Sequence, residues 1–97
     1  MSALPDAIRD IEAILGRMNA ARNAAPSILD DYDGHRRATA EMKVVASAAL
    51  EALGAKIRDR FDGVTVRHAG VSSSSTSGLP GALQNWLRAA RRREAES

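Results

Sequence analysis

The apolar residues of the first quarter of the chain recur at helical spacing. Five of them fall four or three residues apart and lie along one side of a helix: Leu4, Ile8, Ile11, Leu15 and Met18. Pro5 suits a first helical turn because its φ is fixed and its missing N–H has no partner there. Since Pro26 interrupts the pattern, we predict a first amphipathic helix from Pro5 to about Ala24.

A second apolar pattern keeps the helical period over a longer stretch. It starts near His35, ends before a capping glycine at Gly63, and comprises Met42, Val45, Ala46, Ala49, Leu50, Leu53, Ile57 and Phe61. A helix of roughly 27 residues is about 40 Å long, whereas a compact globule of this chain length is about 33 Å across. The predicted helix therefore protrudes, kinks near Gly54 or pairs with another chain. The two helices together predict a helical hairpin over residues 5–62.

The pattern changes after Gly63. The segment Val64-Thr65-Val66-Arg67-His68 alternates apolar and polar side chains and is rich in β-branched residues, which predicts a strand, or a hairpin turning at Ala69-Gly70. We assign residues 63–78 to this strand and a serine-rich loop. A last amphipathic helix follows over residues 79–93, with an apolar face formed by Leu79, Leu83, Trp86, Leu87 and Ala90.

These elements predict one mainly α domain: a helical hairpin with a long alanine-rich second helix, a short β strand or hairpin, and a C-terminal helix. Alanine supplies 19 of the 43 hydrophobic residues, and the aromatic residues are only Tyr32, Phe61 and Trp86. Because alanine buries little apolar area, we expect a second copy of the chain to supply part of the buried surface. The composition thus favours a homo-oligomer.

Cysteine is absent from the sequence, which excludes disulfides, thiolate metal sites and thiol nucleophiles. No apolar run approaches the roughly 20 residues that a membrane span requires, and the chain starts directly in an amphipathic pattern. We therefore expect a cytoplasmic protein without a membrane partner.

Charge is distributed unevenly along the chain. Residues 1–62 carry nine Lys/Arg and ten Asp/Glu, a net charge of −1, while residues 63–97 carry five Arg and two Glu, a net charge of +3. Arg88, Arg91, Arg92 and Arg93 of the last helix, together with Arg67 of the strand, are candidate phosphate contacts. The same arginines also complement the dipole at the end of a helix and keep that end hydrated, and we favour this interpretation.

A stretch of hydroxyl groups precedes the last helix and offers a candidate anion site, formed by Ser75, Thr76, Ser77 and Gly78. No lysine follows Gly78, so the order of a phosphate-binding P-loop is not met. A flexible linker that ends in a serine N-cap is the simpler interpretation, and the composition favours it.

Signals for catalysis and for metal binding are weak. His35 and His68 lie on different elements without the spacing of a metal or triad motif. The segment 31–34 is similar to the middle of a calcium loop, but Leu29 and Ala40 occupy its first and last ligand positions. The sequence therefore predicts no enzyme activity, no metal site and no cofactor.

The remaining features favour a small non-enzymatic protein that binds another protein as a regulator, adaptor or inhibitor, through a strand edge or the last helix. The predicted partner-binding residues are Val66, Arg67, Trp86, Arg88, Arg91 and Arg92. Accessory proteins of phages and mobile elements are often of this small, cysteine-free kind, and we expect this chain to be one of them. The alternative is a nucleic-acid-associated protein that contacts phosphates through its arginine-rich C-terminal helix.

Overall fold

A computed structural model describes residues 4–96 and contains, within that range, three α-helices and one antiparallel sheet. In chain order the elements are α1 (Leu4–Ala24), α2 (Tyr32–Ala52), β1 (Lys56–Arg60), β2 (Gly63–His68), β3 (Val71–Ser75) and α3 (Leu79–Glu96). The strands follow one another in the sheet in the order β1-β2-β3. The mainly α fold class, with a helical hairpin, a β hairpin and a C-terminal amphipathic helix, is confirmed.

The core lies around α3, which packs against α1 on one side and against β2 and β3 on the other. Every residue assigned above to the apolar faces of α1 and α3 is buried, so these two predicted faces are confirmed. Trp86, Leu83, Ile11 and Val66 are completely buried and fill the space between helices and sheet. α3 extends three residues beyond the predicted end at residue 93, to Glu96.

The prediction that the second helix continues to residue 62 is wrong, because α2 ends at Ala52. Gly54 adopts a positive φ of 90°, and its N–H donates to the Glu51 carbonyl at 2.9 Å. The Ala55 N–H then donates to the Leu50 carbonyl at 3.0 Å. These two bonds form a Schellman motif, which satisfies the last carbonyls of the helix and redirects the chain.

Residues 56–60 therefore form β1 instead of two further helical turns. Ile57 turns toward the core and is half-buried, whereas Phe61 lies in the β1–β2 turn and is fully exposed. Gly63, predicted as the cap of the helix, is the first residue of β2. The helical spacing of Ile57 and Phe61 was thus a coincidence of two residues in a strand and a turn.

The serine-rich segment also differs from the prediction of a loop. Ser72 to Ser75 belong to β3, which pairs with β2 in antiparallel register, with Val66 opposite Ser73. Ala69 and Gly70 form the predicted turn between these strands, with φ of 52° and 79°. Positive φ at both central residues is the geometry of a type I′ turn, which matches the twist of a tight hairpin.

The molecule is elongated, with principal extents of 48 × 25 × 22 Å. α2 contributes to this shape because it packs mainly on α1 and meets the sheet chiefly at β1. Lys43 of α2 forms an ion pair with Asp59 of β1, which links the helical hairpin of α1 and α2 to the sheet. None of the described helices is both long and apolar enough to cross a membrane.

Candidate functional site

Two of the predicted partner-binding residues belong to the core. Val66 and Trp86 have no solvent-exposed surface. The Trp86 indole Nε1–H donates to the carbonyls of His68 (3.2 Å) and Val71 (3.1 Å), on either side of the β2–β3 turn. These residues hold α3 against the sheet and offer no surface to a partner.

Two of the arginines of α3 form contacts with other parts of the chain, and the other two extend into solvent. Arg91 donates to the Glu12 carboxylate at 3.0 Å and links α3 to α1. Arg93 donates to the carbonyl of Gly70 at 2.6 Å and braces the β2–β3 turn. Arg88 and Arg92 are exposed. The C-terminal helix therefore does not present its arginines as one uncommitted surface.

The predicted anion site is occupied by contacts within the chain. Its residues are Ser75, Thr76, Ser77 and Gly78. The Ser75 hydroxyl accepts from the Ser77 N–H at 3.0 Å, and the Gly78 carbonyl accepts from the Ala82 N–H at 3.1 Å. A Cβ added at Gly81 would lie only 2.6 Å from the Ser75 hydroxyl oxygen. Ser75 thus packs against the first turn of α3 and holds the turn that precedes the helix.

Both histidines also have structural contacts. The His35 Nδ1–H donates to the carbonyl of Pro26 at 2.9 Å and fixes the loop between α1 and α2. The His68 ring lies beside the Trp86 ring, with centroids 5.8 Å apart. Within residues 4–96, no three His, Asp or Glu side chains gather in a way that could hold a metal ion.

The outer face of the sheet, opposite α3, carries a concentration of basic side chains. Side chains alternate between the two faces of a strand, and the register places Lys56, Arg58, Arg60 and Arg67 on this outer side. All four are exposed, and none forms an ion pair within the described range. The hydroxyls between them belong to Thr65, Ser72 and Ser74. We call these seven residues the basic sheet face.

Acidic residues lie only at the margins of the basic sheet face. Asp59 points to the other side of the sheet and pairs with Lys43. Glu51 lies at the end of α2 beside Lys56, and Asp62 lies in the β1–β2 turn. The surface therefore combines four positive charges and three hydroxyl groups, with Glu51 and Asp62 each lining a depression at its edge.

Among the cations of this face, only Arg67 is predicted from the sequence as a site residue. In the predicted helix, Lys56 and Arg60 share one side because they are four residues apart, and Arg58 lies on the opposite side. The alternation Lys56-x-Arg58-x-Arg60 is the signal that indicates a strand with one basic side. Only the pairing of β1 with β2 brings Arg67 to the same surface.

A second surface is the groove between α1 and α2, with a volume of ≈ 430 Å³. Small and apolar side chains line most of it: Met18, Ala21, Ala24, Pro26, Ala38, Met42, Val45 and Ala49. Arg17 of α1 and Glu41 of α2 also line it, one charge from each helix. We call this surface the hairpin groove.

Exposed large apolar side chains are concentrated on the same part of the molecule. Of the seven found among the described residues, six belong to α2, its C-cap or the loop before it: Ile28, Leu29, Tyr32, Val44, Val45 and Leu53. These residues are distributed along α2 and its two ends, and Val45 also lines the hairpin groove. The sheet and α3 do not expose a comparable group.

Comparison with protein-family models, with curated proteins and with solved structures finds no match to the chain.

Proposed function

We propose that this protein is a non-enzymatic binding protein that pairs with a second copy of itself through the hairpin groove and acts as a regulator or adaptor in that form. The observation that carries the proposal is the incomplete burial of α2, in which only Ala46 and Leu50 of 21 residues are buried. A helix gains most of its stability in a protein from packing of its apolar face, and α2 leaves much of that face uncovered.

The arrangement of the groove favours another helix pair as the occupant. Ala38, Met42, Val45 and Ala49 follow one another at spacings of four, three and four residues, so they form a stripe along α2. Antiparallel helices with apolar stripes are half of a four-helix bundle, and a second hairpin supplies the other half. Alanine at two of these four positions, Ala38 and Ala49, permits close approach of the helices.

The charges of the groove are compatible with two-fold pairing. In a symmetric dimer, each contact between two different residues occurs twice, once in each direction. Arg17 and Glu41 lie on opposite helices of the groove. A two-fold partner therefore offers a glutamate to Arg17 and an arginine to Glu41, which a partner with one sign of charge does not.

Two neighbouring valines provide a matched test. Val44 and Val45 are both 68 % exposed on α2, but only Val45 lines the hairpin groove. We expect the wild-type chain and V44E to elute as dimers in size exclusion with light scattering, and V45E to elute as a monomer. Because both valines are exposed, neither substitution buries a charge in the monomer, and circular dichroism should show equal helix content.

A wild-type chain that remains monomeric at high micromolar concentration contradicts self-association, as does a V45E variant that remains dimeric. Loss of the dimer in both variants contradicts the groove as its site. The cytoplasmic location expected from the cysteine-free sequence belongs to the same proposal and is tested separately by fractionating cells that express the tagged chain.

A further inference from the structure

We propose that the basic sheet face is a second binding surface and that it binds the phosphate backbone of double-stranded DNA. Its use does not depend on self-association. The surface differs from the C-terminal helix considered in the sequence analysis, because only Arg67 is common to both. It also lies on the side of the sheet that α3 leaves uncovered.

The chemistry of the face matches phosphate. Three of its four cations are arginines, whose planar guanidinium groups donate two parallel hydrogen bonds to phosphate oxygens. Thr65, Ser72 and Ser74 supply hydroxyl donors between the charges, and such side chains are common phosphate contacts. Glu51 and Asp62 line the edges of the face but form no ion pair with its arginines.

The geometry of the face suits an extended polyanion. Alternate residues of a strand are about 6.8 Å apart, so β1 carries a regular row of three cations: Lys56, Arg58 and Arg60. Arg67, which lies on β2 directly opposite Lys56, adds a fourth cation. A single small anion occupies one or two of these positions, whereas a chain of phosphates occupies the row.

The absence of aromatic and large apolar side chains from the face favours duplex DNA over other polyanions. Binding of single strands relies on aromatic stacking platforms, and the seven residues of the face include no aromatic side chain. Insertion into a lipid surface needs apolar anchors, which these seven residues also lack. The four cations lie on the β1–β2 pair, and the roughly 12 Å wide major groove of B-DNA admits a two-stranded ribbon. The major groove of duplex RNA is too narrow for such an approach.

Repulsion between like charges within the face also supports an anionic ligand. Lys56 and Arg67 are directly opposite in the β1–β2 register, an arrangement that destabilises a sheet. A phosphate between them neutralises this repulsion. Stability alone therefore does not account for this pair, whereas an anionic ligand does.

The test compares two triple variants with the same net charge. One removes three cations of the face (R58Q/R60Q/R67Q), and the other removes three exposed arginines of α2 and α3 (R36Q/R88Q/R92Q). Fluorescence anisotropy with a labelled duplex of mixed sequence gives the affinity at several salt concentrations. Thermal unfolding followed by circular dichroism verifies that both variants fold.

We expect the wild-type protein to bind with a slope of log K against log salt of about −3.6, since four phosphate contacts contribute about −0.9 each. The sheet variant should lose most of its affinity and retain a slope of about −0.9, while the α2/α3 variant keeps the wild-type slope. Full binding by the sheet variant, or equal loss in both variants, overturns the proposal. Tighter wild-type binding to single-stranded DNA, duplex RNA or phosphatidylserine vesicles than to duplex DNA also overturns it.

Discussion

Lys56 and Arg67 occupy directly opposite positions on β1 and β2, so two positive charges form a cross-strand pair. Both side chains are exposed on the basic sheet face, and Glu51 is the nearest acidic residue in the groove beside them. Water and salt reduce the repulsion at this exposed position without removing it. The pair thus links the stability of the β1–β2 hairpin to the ionic composition of the solution.

Replacing Arg67 with threonine should stabilise the protein, because it removes one charge of this pair and introduces a β-branched residue. The expected rise in Tm is about 2–4 °C at low ionic strength, which corresponds to about 0.5 kcal/mol in a chain of this size. Thermal unfolding at low and high salt measures this difference, which should decrease as salt screens the charges in the wild-type protein.

Arg60→Thr is the control for strand propensity, since Arg60 lies opposite Gly63 and not opposite a cation. Its effect on Tm should depend less on salt than that of the Arg67 variant. Equal salt dependence in the two variants contradicts a specific repulsion between Lys56 and Arg67.

Two glycine-to-alanine substitutions should change stability in opposite directions. Gly54 has a φ of 90° in the turn after α2, and an alanine there costs about 1–2 kcal/mol. Gly16 lies within α1 with nothing within 4 Å of an added Cβ, so alanine there should add about 0.5–1 kcal/mol. Urea unfolding of the two variants measures both effects.

Each variant is the other's control, because an added Cβ has no neighbour within 4 Å at Gly54 either. Steric contact therefore does not account for the expected difference. Equal stability of the two variants contradicts the Schellman motif as the reason why α2 ends at Ala52.

Trp86→Phe should destabilise the protein by about 2–4 kcal/mol, since it removes the indole donor of two carbonyls and leaves a cavity in the core. Those carbonyls belong to His68 and Val71, so the loss weakens the attachment of α3 to the β2–β3 turn. Urea unfolding gives the free-energy change. Ser72→Ala on the exposed side of β3 is the control and should stay within about 0.5 kcal/mol of the wild-type protein. A loss below about 1 kcal/mol for the tryptophan variant indicates that the two carbonyls find other donors.

The helices that pack on two sides could be predicted from sequence, because their apolar stripes are long and uninterrupted. α1 and α3 are of this kind, and their predicted faces are all buried. The end of α2 could not be predicted by the same rule, since Ile57 and Phe61 continue its period beyond Gly54. A glycine inside a periodic pattern is compatible with both a weakened helix and a C-terminal cap, and only tertiary contacts decide between them.

Strands whose residues have a low intrinsic preference for β structure were harder to predict. β1 has the sequence KIRDR, and its single apolar residue, Ile57, gives almost no alternation to detect. β3 is mostly serine, and its pairing with β2 supplies the order that its composition does not. The basic sheet face was missed for the same reason, because its residues come together only through this pairing.

The elongated shape has a consequence for avidity. α2 spans about 31 Å between the loop that precedes it and the turn that leads to the sheet, and β1 lies beyond its C-terminal end. A dimer joined through the hairpin groove, as proposed, would carry two basic sheet faces. If one face binds DNA as proposed, the second meets the same DNA at a high effective concentration. Under the two proposals together, DNA occupancy would increase more steeply than in proportion to the total protein concentration, and the amount of protein present would set both its oligomeric state and its binding strength.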